Sequence, residues 1–195
     1  MFQRGRCLLF AAVALTVAAA PVLAQGMPEM GQPKEMKTIQ KMAGHFTCEF
    51  KYKMDPAGEW MTTTAEAEIE NRLDGCVQFM LFSGNFGDMP MEGVSLTSYS
   101  RERGKWQMTW VDNMAASLSY AEGDMKDGKM VLVGKDMSMG QEMWMRYSTY
   151  DITDNSWKWT MEMSMDGKEY MPMGEAVYTR AGTGGNAAEK DEGGW

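Results

Sequence analysis

The feature that most limits the fold is a two-residue alternation of apolar and polar side chains. In residues 46–52 and 105–110, every second residue is aromatic or sulfur-containing, and the residues between are polar or charged. Because successive side chains of a strand point to opposite faces, this spacing predicts β-strands that are buried on one side. About ten such runs are separated by turn signals such as Asp55-Pro56 and Asp127-Gly128. The pattern predicts an all-β domain.

Short connections and one-sided burial restrict the architecture to an antiparallel meander. A closed meander barrel of about ten strands is favoured over a sandwich, because the alternation persists along every strand. A weak apolar stripe between Pro33 and Gly44 predicts a short N-terminal helix that caps one end. The expected organisation is a signal peptide over 1–24, a flexible linker over 25–34, the barrel over 35–181 and a disordered tail over 182–195.

The first residues have the pattern of a secretory signal peptide. Arg4 and Arg6 precede an apolar run over 8–20, and cleavage is expected near Ala24. The run is too short for a comfortable transmembrane helix, and Gln25, not cysteine, follows the cleavage point, which argues against a lipoprotein anchor. We therefore expect a periplasmic or secreted protein without a membrane anchor.

Charge limits the possible binding partners, and cysteine content suggests a disulfide. The chain has 27 acidic and 19 basic residues, a formal net charge of −8. An acidic surface repels phosphate backbones and anionic lipid, so nucleic-acid binding is not expected. After export, Cys48 and Cys76 would meet an oxidising environment, which favours a disulfide between them over two free buried thiols. The sequence does not determine the oligomeric state.

Several short stretches carry a family resemblance. They are Leu73-Asp74-Gly75, Met91-Glu92-Gly93, Ser98-Tyr99, Trp110-Val111-Asp112-Asn113-Met114, Asp166-Gly167-Lys168-Glu169-Tyr170 and Tyr178-Thr179-Arg180. In order and spacing, residues 35–181 resemble the secreted bacterial family called domain of unknown function 1579. The resemblance implies a lipocalin-like (calycin-like) barrel closed at one end by an N-terminal helix, and it implies no established activity.

The inward faces of two predicted strands suggest a binding wall. Tryptophan and methionine alternate with polar residues in 105–110 and 157–163, so these side chains are expected to share the barrel interior. The predicted ligand-binding residues are Trp106, Met108, Trp110, Asp112, Trp157, Trp159, Met161 and Met163. A small apolar ligand is the leading hypothesis. Residues 142–151 carry apolar side chains on both faces, so the sequence leaves open which face lies inside.

Methionine is the compositional outlier, with 23 residues. One interpretation is that the flexible methionine side chains pack in the core or line a cavity. The alternative is Cu(I) or Ag(I) binding by thioethers, with Met89, Met91, Met137 and Met139 as candidates because they lie in segments predicted as loops. The single histidine argues against Cu(II). A third hypothesis is an envelope structural or stress protein without a ligand.

Catalysis has little support, and no catalytic residue is assigned. His45 alone would have to face a site to complete a Ser-His-Asp arrangement, but it lies at the predicted helix-to-strand junction. Asp112 is either a carboxyl with a raised pKa in an apolar interior or an aspartate that fixes the next turn. One histidine and two distant cysteines do not form a zinc set.

Overall fold

A computed structural model describes residues 30–182, except for residue 139 and the side chain of residue 138. The predicted signal peptide, the first half of the linker and nearly all of the tail lie outside the described residues and stay predictions. Within the described part, the chain forms a closed antiparallel barrel in which each strand pairs with the next and β1 also pairs with β10. The strands are β1 Gly44–Tyr52, β2 Met61–Arg72, β3 Val77–Phe86, β4 Met89–Ser100, β5 Lys105–Asp112, β6 Ser119–Lys126, β7 Lys129–Ser138, β8 Gln141–Tyr150, β9 Ser156–Ser164 and β10 Met171–Arg180.

The predicted fold class, an all-β closed meander barrel, is confirmed. Its inner face follows the alternation of the sequence. On β1, Phe46, Cys48, Phe50 and Tyr52 are buried, and their neighbours along the strand are half-buried or exposed. The register places large residues of β1 beside small ones of β2, as in the pair Phe46–Ala67. A one-residue slip would turn every one of these side chains into solvent, so burial fixes the register.

The two ends of the barrel differ. Because the strands run up and down in sequence order, residues 31–43 lie at the same end as the connections β2–β3, β4–β5, β6–β7 and β8–β9. We call this the closed end. The other five connections, beginning with residues 53–60 between β1 and β2, surround the opposite end. We call it the open end.

The closed end is plugged by two 3₁₀ turns, Lys34–Thr38 and Gln40–Met42, so the predicted N-terminal α-helix is wrong. The physical reason lies in the spacing of Met36, Ile39 and Met42, which are all buried. A 3₁₀ turn has three residues per turn, so side chains three apart point the same way. All three therefore enter the barrel, whereas an α-helix would rotate them progressively away.

Polar side chains from the barrel bind the carbonyls of this plug. Gln78 Nε2 donates to the Ile39 carbonyl at 2.8 Å. Arg180, the last residue of β10, donates from Nη1 to the Ala43 carbonyl at 2.8 Å and from Nη2 to the Lys41 carbonyl at 2.7 Å. Its guanidinium also lies over the ring of Phe46, 4.6 Å from the centroid. Arg180 thus joins the plug to the strand pair that closes the barrel.

The two cysteines of the described chain are free thiols, so the predicted disulfide is wrong. Cys48 pairs with Ala65 on β2, whereas Cys76 lies just before β3, whose first residue pairs with Arg72. From Ala65 to Arg72 the strand advances about 23 Å. A disulfide requires Cα atoms within about 7 Å, so closure of the barrel keeps these cysteines apart.

We predict that Arg180→Met lowers the free energy of unfolding by about 2 kcal/mol, because three hydrogen bonds to backbone carbonyls and the contact with Phe46 are lost. Chemical denaturation measures the change. Arg103→Met is the control, since Arg103 only forms an exposed ion pair with Glu122, and it should leave stability unchanged. Equal effects of the two substitutions would contradict the role of Arg180.

Cys48 should resist alkylation in the folded protein. Burial raises the pKa of Cys48 to about 12, although the hydroxyl of Tyr178 hydrogen-bonds to it and acts in the opposite direction. At pH 8 the thiolate fraction is then about one in ten thousand. In the Cys76→Ser variant we expect no labelling by iodoacetamide until denaturant is added. Rapid labelling of that variant under native conditions would show that Cys48 is exposed.

Candidate functional site

The barrel interior is not filled by its own side chains. A cavity of about 390 Å³ extends along the axis. Ile39, Met42 and Gln78 border it at the closed end, and Met54 and Met114 border it at the open end. These two methionines are also exposed to solvent, at 55% and 43%. The cavity therefore reaches the surface at the open end.

Aromatic rings form the middle of the cavity wall. Trp110 meets Phe82 edge to face, with ring centroids 6.0 Å apart. Trp159 stacks on Tyr147 at 6.1 Å and with a 24° angle between the planes. Deeper in the barrel, Trp157 lies face to face with Tyr178, and its Nε1 is buried without a hydrogen-bond partner among the described residues. The rings support one another and hold a rigid apolar surface around the free volume.

The structure places six of the eight predicted ligand-binding residues on the cavity wall. They are Met108, Trp110, Asp112, Trp157, Trp159 and Met161. Trp106 is buried elsewhere in the core and packs edge to face against Tyr99, with centroids 5.6 Å apart. Met163 belongs to a separate cluster of methionines. Both lie on inward faces, but neither borders the free volume.

Sequence reasoning missed the contributions of β4 and β8. Met91, Ser95 and Thr97 of β4 line the cavity, as do Tyr147 and Thr149 of β8. The face of β8 that the sequence left open is thus settled, since the odd-numbered residues from Met143 to Thr149 point inward. On β4 the sequence indicates the wrong face, because the inward residues Ser95 and Thr97 are polar whereas Val94 and Leu96 on the outer face are apolar.

Asp112 is an anchor at the mouth of the cavity. Its Oδ2 accepts a hydrogen bond from Trp110 Nε1 at 2.7 Å, and its Oδ1 accepts from the amides of Met114 at 2.9 Å and Ala115 at 2.7 Å. The carboxylate therefore fixes the tryptophan ring and the connection after β5 together. This geometry matches the turn-fixing alternative for Asp112.

Two of the stretches that carry the family resemblance meet at this mouth. Gly93 pairs with Asp112, and a side chain at position 93 would collide with the Trp110 ring, 2.3 Å from its nearest atom. The backbone amide of Asn113 donates to the Glu92 carbonyl at 3.0 Å, and Asn113 Oδ1 accepts from the Glu92 amide at 2.9 Å. The two stretches form one unit that positions Trp110.

A few polar groups interrupt the apolar wall. Burial raises the pKa of Tyr147, and the nearby Asp136 carboxylate acts in the same direction, so the phenol stays protonated at neutral pH. Ser95, Thr97 and Thr149 add hydroxyl groups. A ligand in the cavity would contact a mostly aromatic and thioether surface with a few hydroxyl groups along it.

The predicted metal ligands are not brought together. Met89 and Met91 lie on β4 and Met137 lies on β7, so their assignment to loops is wrong, and β5 and β6 separate the two strands. Met91 lines the cavity, whereas Met89 and Met137 are exposed at 51% and 62%. Met139 lies outside the described residues. The described residues also contain no cluster of three His, Cys, Asp or Glu side chains able to hold a metal ion.

His45 does not join a catalytic arrangement. Its side chain is 72% exposed, and its Nε2 lies 3.8 Å from Glu68 on the outer face of the barrel. Cys48, three residues along β1, points inward. The two side chains thus lie on opposite sides of the wall.

In the described part of the chain, no helix is long and apolar enough to span a bilayer.

A closed ten-stranded meander with a plug at one end and a cavity along its axis defines a lipocalin-like barrel protein. Residues 32–180 match the model of a family described as "Protein of unknown function (DUF1579)". The chain belongs to this family. The sequence has no significant match among functionally curated proteins.

Two solved structures have the same fold. The crystal structure of Rv2717c from M. tuberculosis superposes with a TM-score of 0.54 and 10% identity, covering 77% of this chain and 99% of the other. An S-type phycobiliprotein lyase, CPES from Guillardia theta, gives a TM-score of 0.51 and 10% identity, covering 75% and 92%. At this identity the likeness shows the fold alone.

We predict that Asp112→Ala lowers the free energy of unfolding by about 1–3 kcal/mol, because three donors lose their acceptor and Trp110 Nε1 is left without one. Denaturant titration followed by tryptophan fluorescence gives the change. Asp124→Ala removes an exposed partner of Lys105 and is the matched control, with little expected effect. If Asp112→Ala left the free energy of unfolding unchanged, the structure of the mouth would not depend on this carboxylate.

Proposed function

We propose that the barrel holds one small apolar ligand, which enters through the open end. The observation that carries the proposal is a cavity of about 390 Å³ walled by aromatic rings and thioethers. Sites for small molecules generally measure about 300–1,000 Å³ and combine apolar walls with a few polar groups. Burial of apolar ligand surface would contribute about 25 cal/mol per Å².

The distribution of rigid and soft wall residues supports binding over catalysis. A hydrogen bond to Asp112 holds Trp110, and stacking on Tyr147 holds Trp159, so part of the wall is preorganised. Methionines 54, 91, 108 and 114 border the same space. Because a thioether side chain is flexible and polarizable, such a wall adapts to ligands of several shapes. We favour carriage or sequestration of a ligand as the role of such a wall.

The phycobiliprotein lyase from Guillardia theta is a barrel of the same fold. The signal peptide expected over 1–24 would place binding in the periplasm or outside the cell, and that placement is part of the proposal. An apolar compound released in such a compartment is poorly soluble, and a carrier with an acidic surface would keep it in solution.

The test is a fluorescence titration with N-phenyl-1-naphthylamine, an apolar probe that brightens in a dry environment. Thr97 lines the cavity from β4, so Thr97→Phe should fill the free volume and weaken binding by about tenfold or more. Thr109→Phe is the matched control. Thr109 on β5 is paired with Leu96 and Tyr120, which are exposed, so this substitution places the same ring on the outer face of the barrel.

The expected result is saturable binding of one probe per chain to the wild type and to Thr109→Phe, with strong loss only in Thr97→Phe. Circular dichroism and thermal melting check that both variants remain folded. Probe binding that is equal in the two variants, or absent from the wild type, would reject an internal ligand site.

A further inference from the structure

Near the open end, the interior contains a cluster formed only by methionines. Met143, Met163 and Met173 are 7–8% exposed and pack against one another, and Met145 and Met161 pack against them. We call these five residues the thioether cluster. They come from the inward faces of three neighbouring strands, β8, β9 and β10. The larger core cluster, in contrast, mixes aromatic, aliphatic and sulfur-containing side chains.

The backbone register places the methionine side chains next to one another. Met145 is directly opposite Met163 on the neighbouring strand. Directly opposite residues have Cβ atoms about 4.5–5.5 Å apart, and the flexible methionine side chain lets their sulfurs converge. A bulge between Pro172 and Gly174 adds Met173 as an extra residue. The Met173 carbonyl accepts a hydrogen bond from the Lys53 amide at 2.9 Å, which holds the bulge in place.

Packing alone does not account for this choice of residues. Strand interiors favour β-branched and aromatic side chains, and methionine loses more rotamer freedom on burial than leucine or isoleucine does. An ordinary barrel wall would therefore be filled better by valine, isoleucine or leucine. What the five methionines share, and those residues lack, is a soft sulfur donor.

A negative charge stands beside the cluster inside the barrel. Asp136 of β7 is paired with Met143 of β8, so both side chains point to the inner face. The Ser119 hydroxyl donates to one carboxylate oxygen of Asp136, and the Met137 amide donates to the other at 2.7 Å. Thioethers are neutral and cannot compensate the charge of a bound cation. The Asp136 carboxylate can do so for a monovalent ion.

We propose that the thioether cluster binds one soft monovalent cation, Cu(I) or Ag(I). Soft ligands select these ions, and the cluster offers no imidazole or thiolate that would favour Zn²⁺ or Cu(II). The site differs from the earlier candidates Met89, Met91 and Met137, which the fold separates. It is also distinct from the proposed ligand cavity, with which it shares only Met161.

The test is an anaerobic competition titration of Cu(I) between the chain and bicinchoninate. The cluster variant is Met143→Leu/Met163→Leu/Met173→Leu, and the matched control is Met30→Leu/Met89→Leu/Met137→Leu, which changes three exposed methionines. Leucine has nearly the volume of methionine, so the core should tolerate the change. We expect one equivalent of Cu(I) on the wild type and the control, and affinity at least about tenfold weaker in the cluster variant.

A second readout uses the wild-type chain alone and does not depend on the variant folding. With ¹³C-labelled methionine methyl groups, addition of Ag(I) should shift the resonances of the thioether cluster and saturate at one equivalent. Asp136→Asn should weaken binding without removing it. No binding to the wild type, equal loss in both triple variants, or shifts confined to the exposed methionines would overturn the proposal.

Discussion

The pairing of β1 with β10 determines both the shape of the sheet and the volume inside it. It converts a meander into a barrel without open edges, so all backbone groups of the sheet can pair. It also creates an interior that only inward-facing side chains can fill. Ten strands enclose more volume than these side chains occupy, and about 390 Å³ remains free. The cavity is a consequence of strand number and closure.

The asymmetry of the two ends gives this cavity a direction. At the closed end, side chains at three-residue intervals enter the barrel, and Gln78 and Arg180 bind the carbonyls behind them. At the open end, Asp112 holds Trp110 and the connection that follows it. The interior is thus rigid and aromatic in the middle and rich in methionine near the entrance. Such a gradient suits a site that admits varied apolar molecules and then holds them against fixed rings.

Much of the fold could be predicted from the sequence, because one-sided burial imposes a period of two on every strand. The inward positions of Trp110, Trp157 and Trp159 followed from that period alone. Prediction failed where the deciding information was not periodic. The plug is 3₁₀ rather than α-helical because the closed barrel buries Met36, Ile39 and Met42 together, and the distance between Cys48 and Cys76 depends on strand register. The thioether cluster likewise depends on which strands become neighbours and on a bulge in β10.

If this barrel is hollow in order to hold a small apolar molecule, the protein should carry that molecule in its own source. Native mass spectrometry of the protein purified from that source can detect it. We expect one organic adduct per chain that is released when the protein is denatured. A chain that carries no adduct, and that acquires none when incubated with an excess of apolar compounds under conditions that preserve the fold, would contradict it.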